Sequence, residues 1–253
     1  MERDKEQLMY EIMGKISMSN APIVFKGAMI TQLILSEHGF DSTKRITKDV
    51  DSNWVGEPPS MDELVSSINN ALGETRQYCY AEALRPYSNG RSAGINIIDR
   101  DTGKALFSMD VSMRPVYDVK TYYHGDIAIK GVLPDEVLAD KISAMSTKAI
   151  YRRMKDVVDV YALSHCVELH SQTIFNINEA KGNKMGTFHE FCSCKPEVQH
   201  AYERLKNVTG KLDFEDIYTY AEKFIQPFLE NSPVNKRWNS VAQSWDDLPM
   251  DKS

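Results

Sequence analysis

The spacing of apolar and polar positions predicts that the first half of the chain mixes helices with strands. Apolar residues recur every three to four positions in some segments and alternate in others, the periods of an amphipathic helix and of a half-buried strand. Asp101-Thr102-Gly103 lies between two alternating runs and predicts a hairpin. The predicted helices are 7–17, 28–35 and 61–72, and the predicted strands are 23–25, 45–51, 93–99, 105–113 and 125–130.

The second half of the chain has a different pattern, because helical spacing dominates from Asp135 onward. The helices predicted there are 136–145, 149–166, 171–180, 196–207 and 214–230, and no clear element follows Asn231. We therefore expect an α/β (α+β) fold, with a mixed sheet and helices in residues 1–133. A helical domain, residues 134–253, follows.

Composition limits the location of the protein and its partners. The net charge of −6 gives no general basic surface for nucleic acid, so any RNA contact needs a local basic patch. Apolar runs stay shorter than the roughly 18 residues that a membrane span needs, and the N-terminus is too charged for a signal peptide. We expect a cytoplasmic protein without membrane contact.

The cysteines are too sparse for a disulfide framework in a chain of 253 residues. Two of them lie near histidines, which raises zinc binding as an alternative. The residues concerned are His189, Cys192, Cys194 and His200. Their spacing fits no standard zinc finger, so ordinary loop residues are the favoured interpretation.

Asp49-Val50-Asp51 carries the candidate chemistry. On a strand the two aspartates share one face, with Cα atoms about 7 Å apart. Carboxylates this close repel each other unless a cation lies between them, and Mg²⁺ prefers hard oxygen ligands. Asp110, in the middle of another predicted strand, is the candidate third ligand of a two-metal site. The alternative is a solvated strand edge.

Lys26-Gly27 precedes a predicted helix and resembles a turn that binds phosphate. Gly27 lets the backbone approach an anion closely, and the N-terminus of the following helix favours negative charge. The order of strand, glycine turn, helix, Asp-x-Asp and strand with Asp110 is more specific than any one of these features.

Four motifs in this order resemble the AbiEii/AbiGii-type nucleotidyltransferase toxins of bacterial abortive-infection and toxin–antitoxin systems. The first two are Val24-Phe25-Lys26-Gly27-Ala28 and Arg45-x-Thr47-x-Asp49-Val50-Asp51. The third, residues 138–145, is similar to the lysine-bearing helix of the family and includes Lys141. The fourth, residues 153–161, is similar to its Asp-x-x-Asp helix.

The resemblance implies a nucleotidyltransferase fold and Mg²⁺-dependent (or Mn²⁺-dependent) transfer of a nucleotide from an NTP to an RNA or protein acceptor. For some relatives that acceptor is the 3′ end of tRNA, and a cognate antitoxin is a further partner. The implied catalytic residues are Asp49, Asp51, Lys141 and Asp159; the nucleotide-binding residues are Lys26, Gly27, Arg45, Lys141 and Asp156; the metal ligands are Asp49, Asp51 and Asp110. By the same resemblance, the helical domain completes the active site.

Lys141 and Asp159 are 18 residues apart, roughly 27 Å in a straight helix, which is too far to serve one nucleotide. We therefore predict a break near Ser146-Thr147, with one of these hydroxyls capping a second helix. The alternative places Asp156 and Asp159 on a solvated helix face with Arg152, Arg153 and Lys155.

Two observations leave other functions open. The stretch after Lys26 has no hydroxyl before Thr31, whereas the family often has Gly-Gly-Thr or Gly-Ser there. A binding protein with this fold and little catalysis is therefore an alternative, and an antibiotic nucleotidyltransferase is another. The cations near Arg152 form a strip, with Lys148 at one end, that either contacts RNA or is simply a solvated face.

Overall fold

A computed structural model describes residues 5–40, 44–88, 92–206, 208–210, 212–229 and 235–248. The chain divides into two compact units. The first comprises Met1–Leu33 and Thr47–Leu133, and the second comprises Ile34–Ile46 and Pro134–Ser253.

The first unit is built on a mixed sheet. In the part of the chain that the structure describes, seven strands lie in the order β4-β5-β6-β3-β1-β8-β7. The pairs β1–β8 and β3–β6 are parallel and the other neighbours are antiparallel. The strands are β1 Ile23–Lys26, β3 Asp49–Trp54, β4 Cys79–Ser88, β5 Ser92–Asp99, β6 Ala105–Ser112, β7 Val119–His124 and β8 Ile127–Val132.

One face of this sheet is the core of the first unit, and helices pack on the sheet. Phe25, Val50, Ile95 and Met109 are at most 1% exposed and lie on that face by their strand register. The helices of this unit are α1 Lys5–Met18, α2 Gly27–Glu37, which ends beyond Leu33, and α3 Met61–Leu72. Ser60 caps α3 by accepting from the Glu63 backbone N–H, while the Glu63 carboxylate accepts from the Ser60 N–H.

The second unit is mainly helical. Its helices are α4 Pro134–Met145, α5 Met154–Ser164, α6 Ser171–Ala180, α7 His189–Ser193, α8 Lys195–Glu203 and α9 Phe214–Ile225. Short strands accompany them: β2 Lys44–Arg45 pairs with β10 Val208–Thr209, and β11 Lys236–Asn239 pairs with β9 Leu169–His170 and β12 Ser244–Asp247.

The mixed sheet and its helices confirm the predicted fold class, but three local predictions were wrong. The strand predicted over 45–51 is split, because the Thr47 hydroxyl donates to the Asp49 backbone carbonyl and closes a local turn before β3 begins. The edge strands β4 and β7 were missed. The segment after Asn231 was expected to lack regular structure, yet it contains β11 and β12.

Trp238 explains why the last segment is ordered into strands. Its ring is fully buried, and its indole N–H donates to the Ser164 carbonyl at 2.7 Å. Trp245 donates in the same way to the Phe224 carbonyl at 2.9 Å. Both tryptophans therefore anchor the tail of the second unit to its helices, as aromatic rings with one polar atom commonly do.

Candidate active site

Asp49 and Asp51 lie at the beginning of β3 and share the sheet face opposite to the core. The Asp49 side chain is exposed, and its carboxylate accepts from the Thr47 hydroxyl at 3.0 Å. Asp51 is half-buried. The predicted pair of carboxylates on one strand face is therefore confirmed in its geometry.

Gly27 fits closely against Asp51. Lys26, at the end of β1, is directly opposite Asp51 in the sheet register. Gly27 then starts α2 with φ +70°, and a Cβ built on it would lie 2.9 Å from Asp51 Cγ. Any side chain at residue 27 would therefore displace the carboxylate, a reason for glycine that adds to the close approach of a phosphate.

The hydroxyl nearest to this turn is used inside α2. Thr31 is 2% exposed, and its hydroxyl donates to the Gly27 carbonyl at 2.9 Å. The Thr31 hydroxyl therefore already has a partner, and the feature that favours an anion at this turn is the N-terminus of α2.

Asp110 lies beside Asp51, on the parallel strand β6, at the same position of the register. Its carboxylate is held by Arg85 of β4, whose Nη2 is 2.5 Å from Asp110 Oδ1. Gly94 of β5 lies between the two, and a Cβ there would be 3.5 Å from Arg85 Nε. The missing side chain lets the guanidinium cross β5.

Sequence reasoning missed Arg85. A glycine in the interior of a strand often marks a close approach by another group, so Gly94 was the available signal. Arg85 could not be named from it, because β4 itself was not recognised.

The residues of β3 fit a magnesium ion. Mg²⁺ is commonly held by one or two carboxylates together with substrate phosphates, and Asp49 and Asp51 supply such a pair of hard oxygen donors. Among the described residues, no group of three or more His, Cys, Asp or Glu side chains is arranged to hold a metal. Ligation by Asp110 stays a prediction, and Arg85 would compete with the ion for its Oδ1.

The structure brings Lys141 together with the Asp-x-x-Asp helix. The Lys141 ammonium contacts Asp159 Oδ2 and lies 3.3 Å from Asp156 Oδ1. All three residues are at most 5% exposed, so the solvated-face alternative for the two aspartates was wrong. Arg153 Nε pairs with Asp156 Oδ2 at 2.7 Å, and two cations thus balance two carboxylates. A buried charge is tolerated only with such partners.

The break that makes this contact possible is the one predicted, but its capping was predicted wrongly. Helix α4 ends at Met145 and α5 begins at Met154. The hydroxyls of Ser146 and Thr147 donate backwards to the Ser143 and Ala144 carbonyls, at 2.7 and 2.9 Å. They therefore satisfy carbonyls at the end of α4, and no side chain caps α5.

A second buried ion cluster on α4 was missed as well. Lys181, whose side chain is 2% exposed, lies 2.9 Å from both Glu136 Oε1 and Asp140 Oδ1. It follows α6 directly and ties that helix to α4. Because Lys141 is the neighbour of Asp140, this cluster fixes the helix that carries the predicted catalytic lysine.

Two remaining sets of candidates have separate outcomes. The backbone of Arg45 lies in β2, while its side chain is outside what the structure describes, so its nucleotide-binding role stays a prediction. For the zinc alternative, the structure describes His189, Cys192, Cys194 and His200, and among the described residues no three such side chains are grouped to hold a metal ion. Burial is the main cause that raises the pKa of the Cys192 thiol.

A family model described as the nucleotidyl transferase AbiEii toxin of a type IV toxin–antitoxin system matches residues 14–248. The chain belongs to this AbiEii family. The predicted nucleotidyltransferase activity and toxin function are thereby confirmed, in preference to an antibiotic nucleotidyltransferase. Membership implies a nucleotide substrate and a cognate antitoxin, and nucleotidyltransferases generally use divalent metal ions.

Two solved structures are similar to this chain. MenT4, a nucleotidyltransferase toxin from Mycobacterium tuberculosis H37Rv, has 13% identity over 90% of both chains, with a TM-score of 0.47. An antigenic nucleotidyltransferase-like protein from Paracoccidioides brasiliensis has 14% identity over 73% of this chain and 95% of its own, with a TM-score of 0.45. No curated protein sequence matches the chain. Within the described residues, no helix is both long and apolar enough to cross a bilayer.

Proposed function

We propose that the protein transfers a nucleotide from an NTP to an RNA acceptor such as tRNA, with Mg²⁺ or Mn²⁺ held by Asp49 and Asp51, in the cytoplasm. The observation that carries this proposal is the position of the two carboxylates. They share one face at the start of β3, and Asp51 lies against the Gly27 turn that begins α2.

In such a transfer, an acceptor hydroxyl attacks the α-phosphorus of the NTP, and the new O–P bond forms as the bond to the β-phosphate oxygen breaks. Pyrophosphate leaves, and the hydroxyl proton passes to water. A bound divalent ion would polarise the α-phosphate and neutralise its charge. Lys26 and the backbone after Gly27 have the chemistry to orient the phosphates, since backbone N–H groups at a helix start favour an anion. Phosphoryl transfer needs positioning and charge more than covalent help from the protein.

The cluster of Lys141, Asp156 and Asp159 is the second proposed part of the machinery. As a point charge, the Lys141 ammonium suits a triphosphate, and Asp156 and Asp159 fix its direction. Among the described residues these two aspartates are its ionic partners, so one of its three N–H donors remains for a ligand.

The experiment follows label from each of four α-labelled NTPs into total RNA with Mg²⁺. The wild-type protein should label RNA with at least one NTP, while Asp51→Asn should lose this labelling because the ion loses a ligand. Asp101→Asn, which removes an exposed aspartate from a turn of the same unit, should label RNA like the wild type. Equal labelling by Asp51→Asn would refute the proposed metal site.

A protein that binds nucleotide with little catalysis is the second candidate, and the internal hydrogen bond of Thr31 favours it. A thermal-shift series separates the two, because a ligand that binds the folded state raises the apparent stability. Stabilisation by an NTP with Mg²⁺, without any labelled RNA or protein acceptor, would support this candidate.

A further inference from the structure

A groove of about 860 Å³ lies on the helical unit, and its lining includes none of the residues given a role in the proposed transfer. It is lined by the 3-10 turn Ile150–Arg152 and the first residue of α5 on one side, and by α8 with the residues after it on the other. We propose that this groove binds single-stranded RNA. The choice of RNA as occupant rests on the proposed function, which needs an RNA acceptor.

Charge is the first argument for a polyanion. Arg152, Arg204 and Lys206 line the groove, and Glu197 is its one acidic lining residue within the described chain. In that part of the chain, neither Arg152 nor Lys206 pairs with a carboxylate, and Arg204 Nη1 faces the ring of His200 at 3.4 Å. The positive charge of the groove is therefore not cancelled, although the whole chain carries −6.

Arg153, the neighbour of Arg152, shows that not every cation of the strip lacks a carboxylate partner. The Arg153 guanidinium pairs with Asp156, whereas Arg152 extends into the groove. Guanidinium groups recognise phosphate oxygens through two parallel hydrogen bonds, which suits them to a nucleic-acid backbone.

The second argument is the aromatic and apolar lining. Tyr151 is 37% exposed at the groove, and Met154 and Leu205 add apolar surface beside it. Single-stranded nucleic acids bind to surfaces of this kind, in which basic residues follow the backbone and aromatic rings stack on bases. An acidic peptide would use the cations but would gain nothing specific from the stacking surface.

The third argument is position within the helical unit. Arg152 and Met154 flank Arg153, whose guanidinium contacts the Lys141–Asp156–Asp159 cluster through Asp156. RNA held in the groove would therefore lie next to the cluster proposed to act in catalysis.

The test measures binding without catalysis. Full-length protein carrying Asp51→Asn, without NTP, is titrated into a fluorescent single-stranded RNA of about 12 nucleotides, and anisotropy is followed. Adding Arg204→Gln and Lys206→Gln should weaken binding about tenfold or more. It should also make the negative slope of log affinity against log salt shallower by about 1.4, because two phosphate contacts are lost.

Matched variants give the controls. Lys184→Gln with Lys223→Gln removes two exposed cations from the same unit, away from the groove, and should leave affinity and slope unchanged. Tyr151→Leu should weaken binding about tenfold, while Tyr151→Phe should restore it, because Phe keeps the stacking face. Circular dichroism and melting temperature confirm that each variant is folded.

Equal RNA affinity in the groove variant and its control would overturn the proposal. Equal binding of a fluorescent poly-glutamate peptide would also overturn it, in favour of an acidic protein partner. Because the titration needs no turnover, weakened RNA binding supports the groove even if RNA labelling fails. If the wild type labels RNA normally and the groove variant binds RNA as tightly as its control, only the groove proposal is refuted and the proposed function stands.

Discussion

The Asp49–Asp51 pair on β3 and the Lys141–Asp156–Asp159 cluster in the helical unit hold neighbouring negative charges in different ways. On β3, Asp49 is exposed to water and Asp51 is half-buried, so solvent screens their repulsion. In the helical unit, Asp156 and Asp159 are buried away from water, and the positive charge of Lys141 compensates their negative charges. We therefore expect substitutions in the first cluster to reduce metal binding without lowering the stability of the fold, whereas substitutions in the second should reduce both activity and stability.

The largest expected effect is the loss of the Lys141 ammonium. Lys141→Met takes away the cation that two buried carboxylates share, so the free energy of unfolding should fall by about 3–5 kcal/mol. Urea unfolding followed by circular dichroism measures it. Lys148→Met, which removes an exposed lysine from the loop after α4, should change stability by less than about 0.5 kcal/mol. A loss in Lys141→Met as small as in this control would contradict a buried ion cluster.

The next largest effect is a partial recovery of the stability that Lys141→Met loses. If the cost of Lys141→Met comes from uncompensated charge, then adding Asp159→Leu should restore about 1–3 kcal/mol of it, because one of the two buried carboxylates that shared this cation is gone. A double-mutant cycle in urea measures this coupling. Purely additive losses would mean that Lys141 stabilises the unit through packing and not through its charge.

A smaller effect tests the tight contact between Gly27 and the Asp51 carboxylate. Gly27→Ala places a side chain at φ +70°, which costs about 1–2 kcal/mol, and also pushes against the Asp51 carboxylate. Gly103→Ala is the matched control, since it has φ +65° and open space around its Cβ. Both should lose stability, but only Gly27→Ala should lose RNA labelling. Labelling lost in both would remove the special role of Gly27.

The comparison also shows which features the sequence could predict. Asp49 and Asp51 are two residues apart on one strand, so the alternation of a strand alone predicted that they share a face. Gly27 was predicted from the order of strand, glycine and helix. The meeting of Lys141 with Asp159 was expected from the family resemblance, and their spacing then required a break between two helices. The capping at that break did not follow, because Ser146 and Thr147 can bond to carbonyls behind them as readily as to N–H groups ahead.

Features set by tertiary contacts were beyond prediction. In β4 only Cys79 and Ala81 are buried among the residues whose burial the structure describes, so an edge strand gave no alternating signal and Arg85 was overlooked. Lys181 lies at the end of α6, where nothing in the sequence points to Glu136 in α4, two helices earlier in the chain. The strand β11 exists because Trp238 is buried against Ser164, a contact across 74 residues.

The smallest expected effect on stability is at Asp49, where the comparison is sharpest. Asp49→Asn removes one of two neighbouring negative charges and keeps an oxygen that can accept from Thr47, so unfolding should change by no more than about 0.5 kcal/mol. Mn²⁺ affinity, followed by the loss of its free electron-paramagnetic-resonance signal, should nevertheless fall at least about tenfold, a typical consequence of disturbing a metal site. Arg85→Ala provides the opposite control: by releasing Asp110 from its cation, it should leave Mn²⁺ affinity unchanged or higher. If Asp49→Asn instead destabilised the fold as much as Lys141→Met, the exposed carboxylates would be structural, and the separation between the two clusters would fail.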